Sequence, residues 1–348
     1  MIGLSHDSLE FSFPEVHPEA KLNIQFQRTL RIPDDGTDYP LPAGLGEFPI
    51  EHVDDYLRTV PDRWLEHGGV MLPMYQSEAM WINFQSTFLT DHDTCYPFAV
   101  KIAAGKIDAV TGKPWTNHLR RQPQNYLQVP SQPWLDGFSI EQGVIRQFVA
   151  MPLGGGYTAE EQITGGAEFG GLQIMVMPMR RKAFERYHPV VQSFQKAVRQ
   201  TAEVHCFSPP PCSFLESEME MGLGAGGRMR QQIYDDQYKL ADWETKQSSR
   251  CFVHLTNSET WCQITGKYPP TKPPTATSYE QAGMPWFDWY EDKPAVGGSA
   301  TLRSLKSVVQ VDKVNNEKPV IDNDPIAIEK VTHLRESLSK GQVREGQF

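Results

Sequence analysis

The stretch LNIQFQRTLRI, residues 22–32, decides the fold that the sequence predicts. Its apolar side chains recur at every second position: Leu22, Ile24 and Phe26, then Leu30 and Ile32. Successive side chains of a β-strand point to opposite faces, so this spacing predicts a strand with one buried face. The Asp-Asp-Gly sequence at 34–36 then predicts a turn.

Other short apolar runs predict more strands, with turns marked by Gly and Pro between them. These runs cover residues 70–86, 96–112, 125–153, 171–179, 249–255 and 260–265. Thr158 is a good N-cap for a short helix, with Glu160 and Glu161 in its first turn. We therefore expect a β-rich α+β protein, mainly antiparallel sheet with a sandwich or barrel-like core and short peripheral helices.

The domain organisation follows from a change in composition near the C-terminal end. Residues 1–312 are predicted to form a single β-rich globular unit, with a possible sub-boundary near 190. Residues 313–348 are charged and polar. Apolar residues recur there at near-helical spacing, which predicts an amphipathic C-terminal helix: Ile326, Ile328, Val331, Leu334 and Leu338.

Composition excludes some classes of protein. The 348 residues carry a net charge of −10, which disfavours binding to nucleic acid over a broad surface. No apolar run approaches the roughly 20 residues of a membrane span, and we recognise no signal peptide. Five cysteines do not suggest a disulfide scaffold. We expect a soluble, cytoplasmic protein.

The glycine cluster MGLGAGGRMR, residues 221–230, raises the question of a phosphate-binding loop. No hydrophobic strand precedes it and no Lys-Ser or Lys-Thr pair follows, so it matches neither nucleotide-binding motif. Arg228 and Arg230 are candidate anion ligands, although glutamates just upstream oppose an anion: Glu216, Glu218 and Glu220. A flexible corner is the favoured interpretation.

Cysteine and histidine cluster in two places, which raises the possibility of structural zinc. The candidate ligands are Cys206, Cys212, Cys251, His254 and Cys262. Zinc needs four converging ligands, and the usual two-residue gap between paired cysteines is missing. Buried cysteine is also common in ordinary cores. No metal site is favoured, and we predict no cofactor.

Catalytic motifs are missing, so only weak candidates for chemistry remain. The sequence has neither a Gly-x-Ser-x-Gly elbow nor a His-Glu-x-x-His motif. Glu78, Glu161 and Arg146 are possible catalytic groups within apolar or Gly-rich segments. Trp81, with Trp134 and Trp286, offers flat surfaces for sugars or similar ligands. Strand-edge charges and core aromatics are the simpler interpretation of these residues.

Several stretches together resemble an uncharacterised family of bacterial and fungal proteins, some loosely labelled integral membrane protein. They are GGVMLPMYQSEAMWINF, YPFAVKIAAGKIDAVTGKPW, GGLQIMVMPM, MGLGAGGRMRQQIY and GMPWFDWYED. The resemblance covers most of residues 20–310. It implies no activity and no residue roles. The membrane label conflicts with the missing apolar span.

Two function classes remain open. The first is a non-enzymatic binding protein or self-assembling scaffold, a homo-oligomer or a partner of another protein. The alternative is an enzyme on a β-rich fold, such as a hydrolase with a carboxylate-containing pocket. That pocket would draw on Glu78, Trp81, Arg146, Glu161 and Arg228. Burial of two or more of these charges in one pocket favours the enzyme, and their dispersal favours the scaffold.

Overall fold

A computed structural model describes residues 1–190, 220–269, 271–289, 293–315, 324–328 and 330–334. Strands make up 40% of the structure and helices 17%, which confirms the prediction of a β-rich α+β fold. The sub-boundary predicted near 190 borders residues 191–219, which lie outside the described residues.

The described residues form 22 strands. The first eleven, β1 to β11, are Ile2–Ser5, Ser8–Ser12, Lys21–Thr29, Asp38–Tyr39, Leu41–Pro42, Gly44–Glu47, Glu51–His52, Val70–Met74, Ala79–Ser86, Phe88–Leu89 and Thr94–Cys95. The others, β12 to β22, are Phe98–Ala104, Ile107–Asp108, Leu127–Val129, Trp134–Leu135, Gly137–Glu141, Val144–Pro152, Leu172–Pro178, Glu220–Arg230, Ser249–Asn257, Trp286–Trp289 and Val331–Leu334.

One large sheet contains 17 of these strands and is mainly antiparallel. Its longest run of neighbours is β1–β2–β3–β9–β17–β19–β20–β18–β12–β14. The sheet curls around its main hydrophobic core. This curvature brings Phe13, just after β2, against Phe98 of β12, with ring centroids 6.0 Å apart. The described strands do not close into a ring.

Strand β3 shows how the sequence pattern becomes a buried face. Leu22, Ile24 and Phe26 are fully buried, and the polar residues between them are half-buried. Ile24 and Phe26 pair with the buried Phe84 and Ile82 of β9, and Leu22 pairs with the half-buried Ser86. The period-two pattern therefore reports the inner face of the sheet correctly.

The glycine cluster is neither a corner nor a phosphate loop, because it forms β19 in the middle of the large sheet. Gly222, Gly224, Gly226 and Gly227 are all buried in this strand. A Cβ at Gly227 would stand 2.3 Å from the Pro33 carbonyl oxygen, and one at Gly224 would stand 2.8 Å from that of Tyr157. Because glycine has no side chain, the neighbouring backbone can approach β19 closely at these two positions.

Seven short helices lie around the sheet in the described residues. They are α1 to α7: Asp62–His67, Ala159–Thr164, Arg181–Tyr187, Ser258–Thr265, Ala276–Gln281, Ala300–Arg303 and Val308–Val314. Two 3₁₀ turns are Val53–Tyr56 and Leu240–Asp242. The strand predicted at 260–265 is instead part of α4, because Asn257 caps its N-terminus by accepting from the Thr260 backbone N–H. No helix in the described ranges has the length and apolar character needed to cross a membrane.

The C-terminal segment corrects another expectation. Val331–Leu334 is strand β22, paired in parallel with β21, where part of an amphipathic helix was predicted. Leu338, the last apolar residue of that predicted helix, lies outside the described residues. Ile326 and Val331 pack on a second core cluster with Trp286 and Tyr279. The apolar spacing that resembled a helical face is therefore that of a segment laid along a small three-stranded sheet, β22–β21–β5.

Candidate functional site

Glu78, the first catalytic candidate, is held in a buried ion pair. Arg28 Nε donates to Glu78 Oε1 at 2.7 Å, and the Tyr75 backbone N–H donates to Oε2 at 2.9 Å. The carboxylate is 1% exposed and the arginine 8%. Burial raises the pKa of Glu78, while Arg28 opposes the rise. Both carboxylate oxygens have hydrogen-bond partners, so Glu78 has a structural role in the turn that precedes β9.

Glu161, the second candidate, caps a helix. Its Oε1 accepts from the backbone N–H groups of Gly154 and Gly156, at 2.7 and 3.1 Å. Its Oε2 accepts from the Thr158 N–H and hydroxyl, at 2.9 and 2.7 Å. Thr158 Oγ1 accepts in return from the Glu161 N–H, which completes a capping box. Four donors therefore occupy this carboxylate.

Arg146 and Arg228 lie directly opposite each other on β17 and β19. Arg228 Nε donates to Asp38 Oδ1 at 2.6 Å, and its Nη1 lies 3.6 Å from Glu141 Oε1. Arg146 Nη1 lies 3.6 Å from Asp34 Oδ1. Burial lowers the pKa of Arg146, and the charge of Arg228 adds to that effect. Two predicted residues thus meet, but each has a carboxylate beside it.

Three tryptophans form a continuous aromatic cluster. Trp81 and Trp134 meet edge to face with centroids 6.4 Å apart, and Trp134 meets Trp289 in the same way at 5.3 Å. The Nε1 atoms of Trp81 and Trp289 are buried without a hydrogen-bond partner among the described residues. Trp286 is buried against Tyr279, in a core cluster on which Trp134 and Trp289 also pack.

The cluster ends at a cavity of about 380 Å³ between the β16–β17 turn, the end of β19 and the small sheet. Its lining consists of Gly143, Arg230, Gln231, Gln232, Asp288, Trp289, His333 and Leu334. Among the sequence candidates, only Arg230 lines it. Trp81, through Trp134, supports its aromatic wall. Glu78, Glu161, Arg146 and Arg228 are not part of the lining.

The charges in this cavity are paired internally. Arg230 donates from Nε and Nη2 to the two carboxylate oxygens of Asp288, at 2.9 and 3.0 Å. His333 Nδ1 lies 4.0 Å from the same carboxylate. Gln232 Oε1 and Trp289 Nε1 are an acceptor and a donor without partners in the part of the chain that the structure describes. The lining residues therefore carry two buried, unpartnered hydrogen-bonding atoms next to a neutralised ion pair.

Asp136, outside the cavity lining, holds the lining residue Gln231 in place. Gln231 Nε2 donates to Asp136 Oδ2 at 2.7 Å, and Gln231 Oε1 accepts from the Asp136 backbone N–H at 3.0 Å. Burial raises the pKa of Asp136 to about 8, because hydrogen bonds only partly offset the loss of solvent. The two hydrogen bonds between Asp136 and Gln231 hold this cavity residue in place.

The predicted metal ligands do not converge. Cys251 is buried in the core and His254 stacks on Trp64, since an odd spacing in β20 places them on opposite faces. Burial lowers the pKa of His254 to about 4, and its Nε2 lies 3.0 Å from the Gly68 carbonyl oxygen. Cys262 is on α4. No metal-binding group of three or more such side chains occurs within the described ranges. The remaining candidates, Cys206 and Cys212, lie outside those ranges.

Sequence reasoning missed most of the cavity. Gln232, Asp288, Trp289 and His333 come from three segments that are far apart in the sequence and carry no motif. The repeated tryptophans of "PWFDWYED" were the one available signal.

Comparison of the chain with protein-family models, with curated proteins and with solved structures gives no match. The resemblance to the uncharacterised family remains a prediction.

Proposed function

We propose that the protein is a non-enzymatic binding protein that holds a small uncharged polar ligand in the cavity beside Trp289. The observation that supports this most is the composition of the lining. A bidentate Arg230–Asp288 pair stands next to an indole N–H and an amide oxygen that have no partner among the described residues.

The paired charges favour a ligand without net charge. Arg230 and Asp288 neutralise each other, so an ionic ligand would have to break two charge-assisted hydrogen bonds. Trp289 Nε1 and Gln232 Oε1 are buried in this conformation, so a ligand hydroxyl can accept from the first or donate to the second only when the side chain turns towards the cavity. Sugars combine such hydroxyls with an apolar ring face that packs on an indole. A saccharide is therefore the ligand class that we favour.

The surroundings of the carboxylates weigh against the alternative of a hydrolase. Glycoside hydrolysis needs two carboxyl groups on either side of the scissile bond. Asp288 is the one carboxylate in the described lining, and both of its oxygens accept from Arg230. Glu78 and Glu161 are fully hydrogen-bonded elsewhere.

Self-association, the other form of binding that the sequence suggested, remains possible on the same fold. Large apolar side chains exposed to solvent belong to separate segments of the chain, such as Leu57, Phe88 and Tyr268. None of them adjoins the cavity lining in sequence. We therefore place the ligand, and not a second copy of the chain, at the centre of the proposal.

Ligand-observed saturation-transfer NMR tests the proposal. Methyl glucoside, methyl galactoside, methyl mannoside and N-acetylglucosamine are each added to the full chain, to W289A and to W115A. Trp115 is a matched control, because it is half-buried and lies outside the cavity. We expect at least one saccharide to bind, with about tenfold weaker affinity for W289A and unchanged affinity for W115A.

Two results would overturn the proposal. One is that none of the four saccharides binds the wild-type chain. The other is that W289A binds as tightly as the wild type. Release of methanol from a methyl glycoside during the experiment would favour the hydrolase instead.

A further inference from the structure

A second cavity, of about 230 Å³, lies on a different part of the large sheet. It is bordered by the β1–β2 hairpin, by β7 and the start of β8, and by the start of β20. The lining is Ile2, Gly3, Leu4, Leu9, His52, Asp54, His67, Gly69, Val70, Arg250, Cys251 and Phe252. None of these residues lines the cavity beside Trp289.

The cavity exists because β20 is only partly flanked on this side. Its parallel pairing with β8 begins at Val253, opposite Val70. Residues 250–252 are paired on their other side with β18, from Met175 to Gln173. The gap beside 250–252 is the space that the cavity occupies.

Arg250 is an exposed cation that lines this cavity and forms no ion pair with the described residues. Its guanidinium carbon lies 5.4 Å from the ring centroid of Trp115 and 4.5 Å from that of Phe252. Its Nη2 donates to the neutral Gln173 Oε1. Burial lowers the pKa of Arg250, and no carboxylate of the described residues opposes that effect. The two rings and the amide hold the guanidinium in place without neutralising it.

The rest of the lining is divided between apolar and ionisable groups. Apolar side chains of the β1–β2 hairpin, with those at the starts of β8 and β20, form one side: Ile2, Leu4, Leu9, Val70 and Cys251. His52 and His67 stand at the exposed side together with Asp54. Leu9, Val70 and Cys251 are buried, and Ile2 and Leu4 are partly exposed, so the cavity places a positive group beside a small apolar surface.

We propose that this cavity binds a small organic carboxylate with an apolar chain, whose carboxylate group is held by Arg250. A guanidinium presents two parallel N–H groups that match the two oxygens of a carboxylate. The apolar side chains then cover the hydrocarbon part of the ligand. Asp54 disfavours a doubly charged anion such as phosphate, because it adds a negative charge at the same opening.

Isothermal titration calorimetry with hexanoate tests this site in the full chain. We expect hexanoate to bind, and 1-hexanol and inorganic phosphate to bind at least about tenfold more weakly, since a hydrogen bond to a charged group is worth about that factor or more. R250Q should lose at least about tenfold in affinity, and R250K should lose less because it keeps the charge. R181Q is the matched control, because Arg181 is an exposed arginine on α3 paired with Glu185.

The proposal fails if hexanoate does not bind the wild type, if 1-hexanol or phosphate binds as tightly, or if R250Q binds hexanoate normally. R250K keeps the test decisive if R250Q does not fold. A spectrum of the arginine Nε–H groups gives a second readout, because hexanoate should shift the one wild-type resonance that is missing in R250K. The saccharide experiment is independent of this one, because the two cavities share no lining residue.

Discussion

Arg28 and Glu78 form a buried ion pair that ties β3 to the turn before β9, with Nε and Oε1 2.7 Å apart. Arg28 also donates from Nη2 to the Thr271 carbonyl oxygen. The pair therefore joins three segments of the chain. Glu78, which the sequence indicated as a catalytic candidate, therefore uses both carboxylate oxygens in hydrogen bonds that stabilise the fold.

The first prediction concerns the stability of this pair. Glu78→Ala leaves the Arg28 charge buried without its partner, which should lower the free energy of unfolding by about 3–5 kcal/mol. Urea denaturation measures the loss. Glu185→Ala, on the exposed face of α3, should change it by less than about 0.5 kcal/mol. The double variant Arg28→Met, Glu78→Leu should regain most of the loss. Wild-type stability of Glu78→Ala would contradict a structural role for the pair.

The second prediction concerns the cap of α2. Glu161→Ala removes the acceptor for the Gly154, Gly156 and Thr158 N–H groups. We expect it to destabilise the fold by about 1–3 kcal/mol, because these donors lose their partner. Thermal unfolding of Glu161→Ala and of the exposed control Glu66→Ala gives the comparison. Equal melting temperatures for the two variants would rule out the cap.

The third prediction separates a strand from a flexible corner in the glycine cluster. Gly227→Ala places a Cβ against the carbonyl oxygens of Ile32 and Pro33, at 2.7 and 2.3 Å, and should cost about 1–3 kcal/mol. Gly166→Ala meets no atom within 4 Å and should stay within about 0.5 kcal/mol of the wild type. Chemical denaturation of both variants is the measurement. A corner would tolerate both changes alike.

The fourth prediction concerns pH. Burial raises the pKa of Asp136 to about 8 in the folded protein, whereas an unfolded aspartate titrates near about 3.9. Between these values the unfolded chain releases a proton that the folded chain keeps. The contribution of Asp136 to stability is therefore greatest below about pH 4 and falls as pH rises towards 8.

Denaturation curves of the wild type and Asp136→Asn at pH 5, 6 and 7 test this sign. The free energy of unfolding of the wild type should fall relative to that of the variant by up to about 1.4 kcal/mol per pH unit. Asp55→Asn, an exposed change, should run parallel to the wild type. A parallel course for Asp136→Asn as well would mean that Asp136 is ionised in the folded state.

The sequence predicted the local elements that have a strong repeating signal. Leu22, Ile24 and Phe26 are on the buried face of β3 as expected, and the apolar run predicted at 96–112 contains strands β12 and β13. Thr158 caps α2 as predicted. In each case the residues that carry the signal are also the ones that make the contact, so local spacing was sufficient.

The sequence misled where a segment's structure depends on distant neighbours. Gly227 of β19 is required by the backbone of Ile32 and Pro33, almost 200 residues earlier in the chain. Val331 pairs with Trp286 in a sheet, although the apolar spacing around it suits a helix equally well. A short apolar run does not distinguish a strand from a helix unless the segment that it packs against is known.

The site was less predictable than the fold. The Arg230–Asp288 pair joins residues 58 positions apart, and nothing in either segment indicates the other. The candidates that sequence reasoning chose were charges within apolar segments, such as Glu78. Buried charges of that kind have to be paired by the fold, so they were the residues least available for a ligand.

A crystal structure of the full chain soaked with the saccharide that gives the strongest NMR signal tests the central claim most directly. The account predicts an intact sugar ring against Trp289, with hydroxyl groups bonded to Gln232 or Trp289 and the Arg230–Asp288 pair preserved. A sugar bound at another surface, or a cleaved sugar beside Glu78 or Glu161, would contradict it.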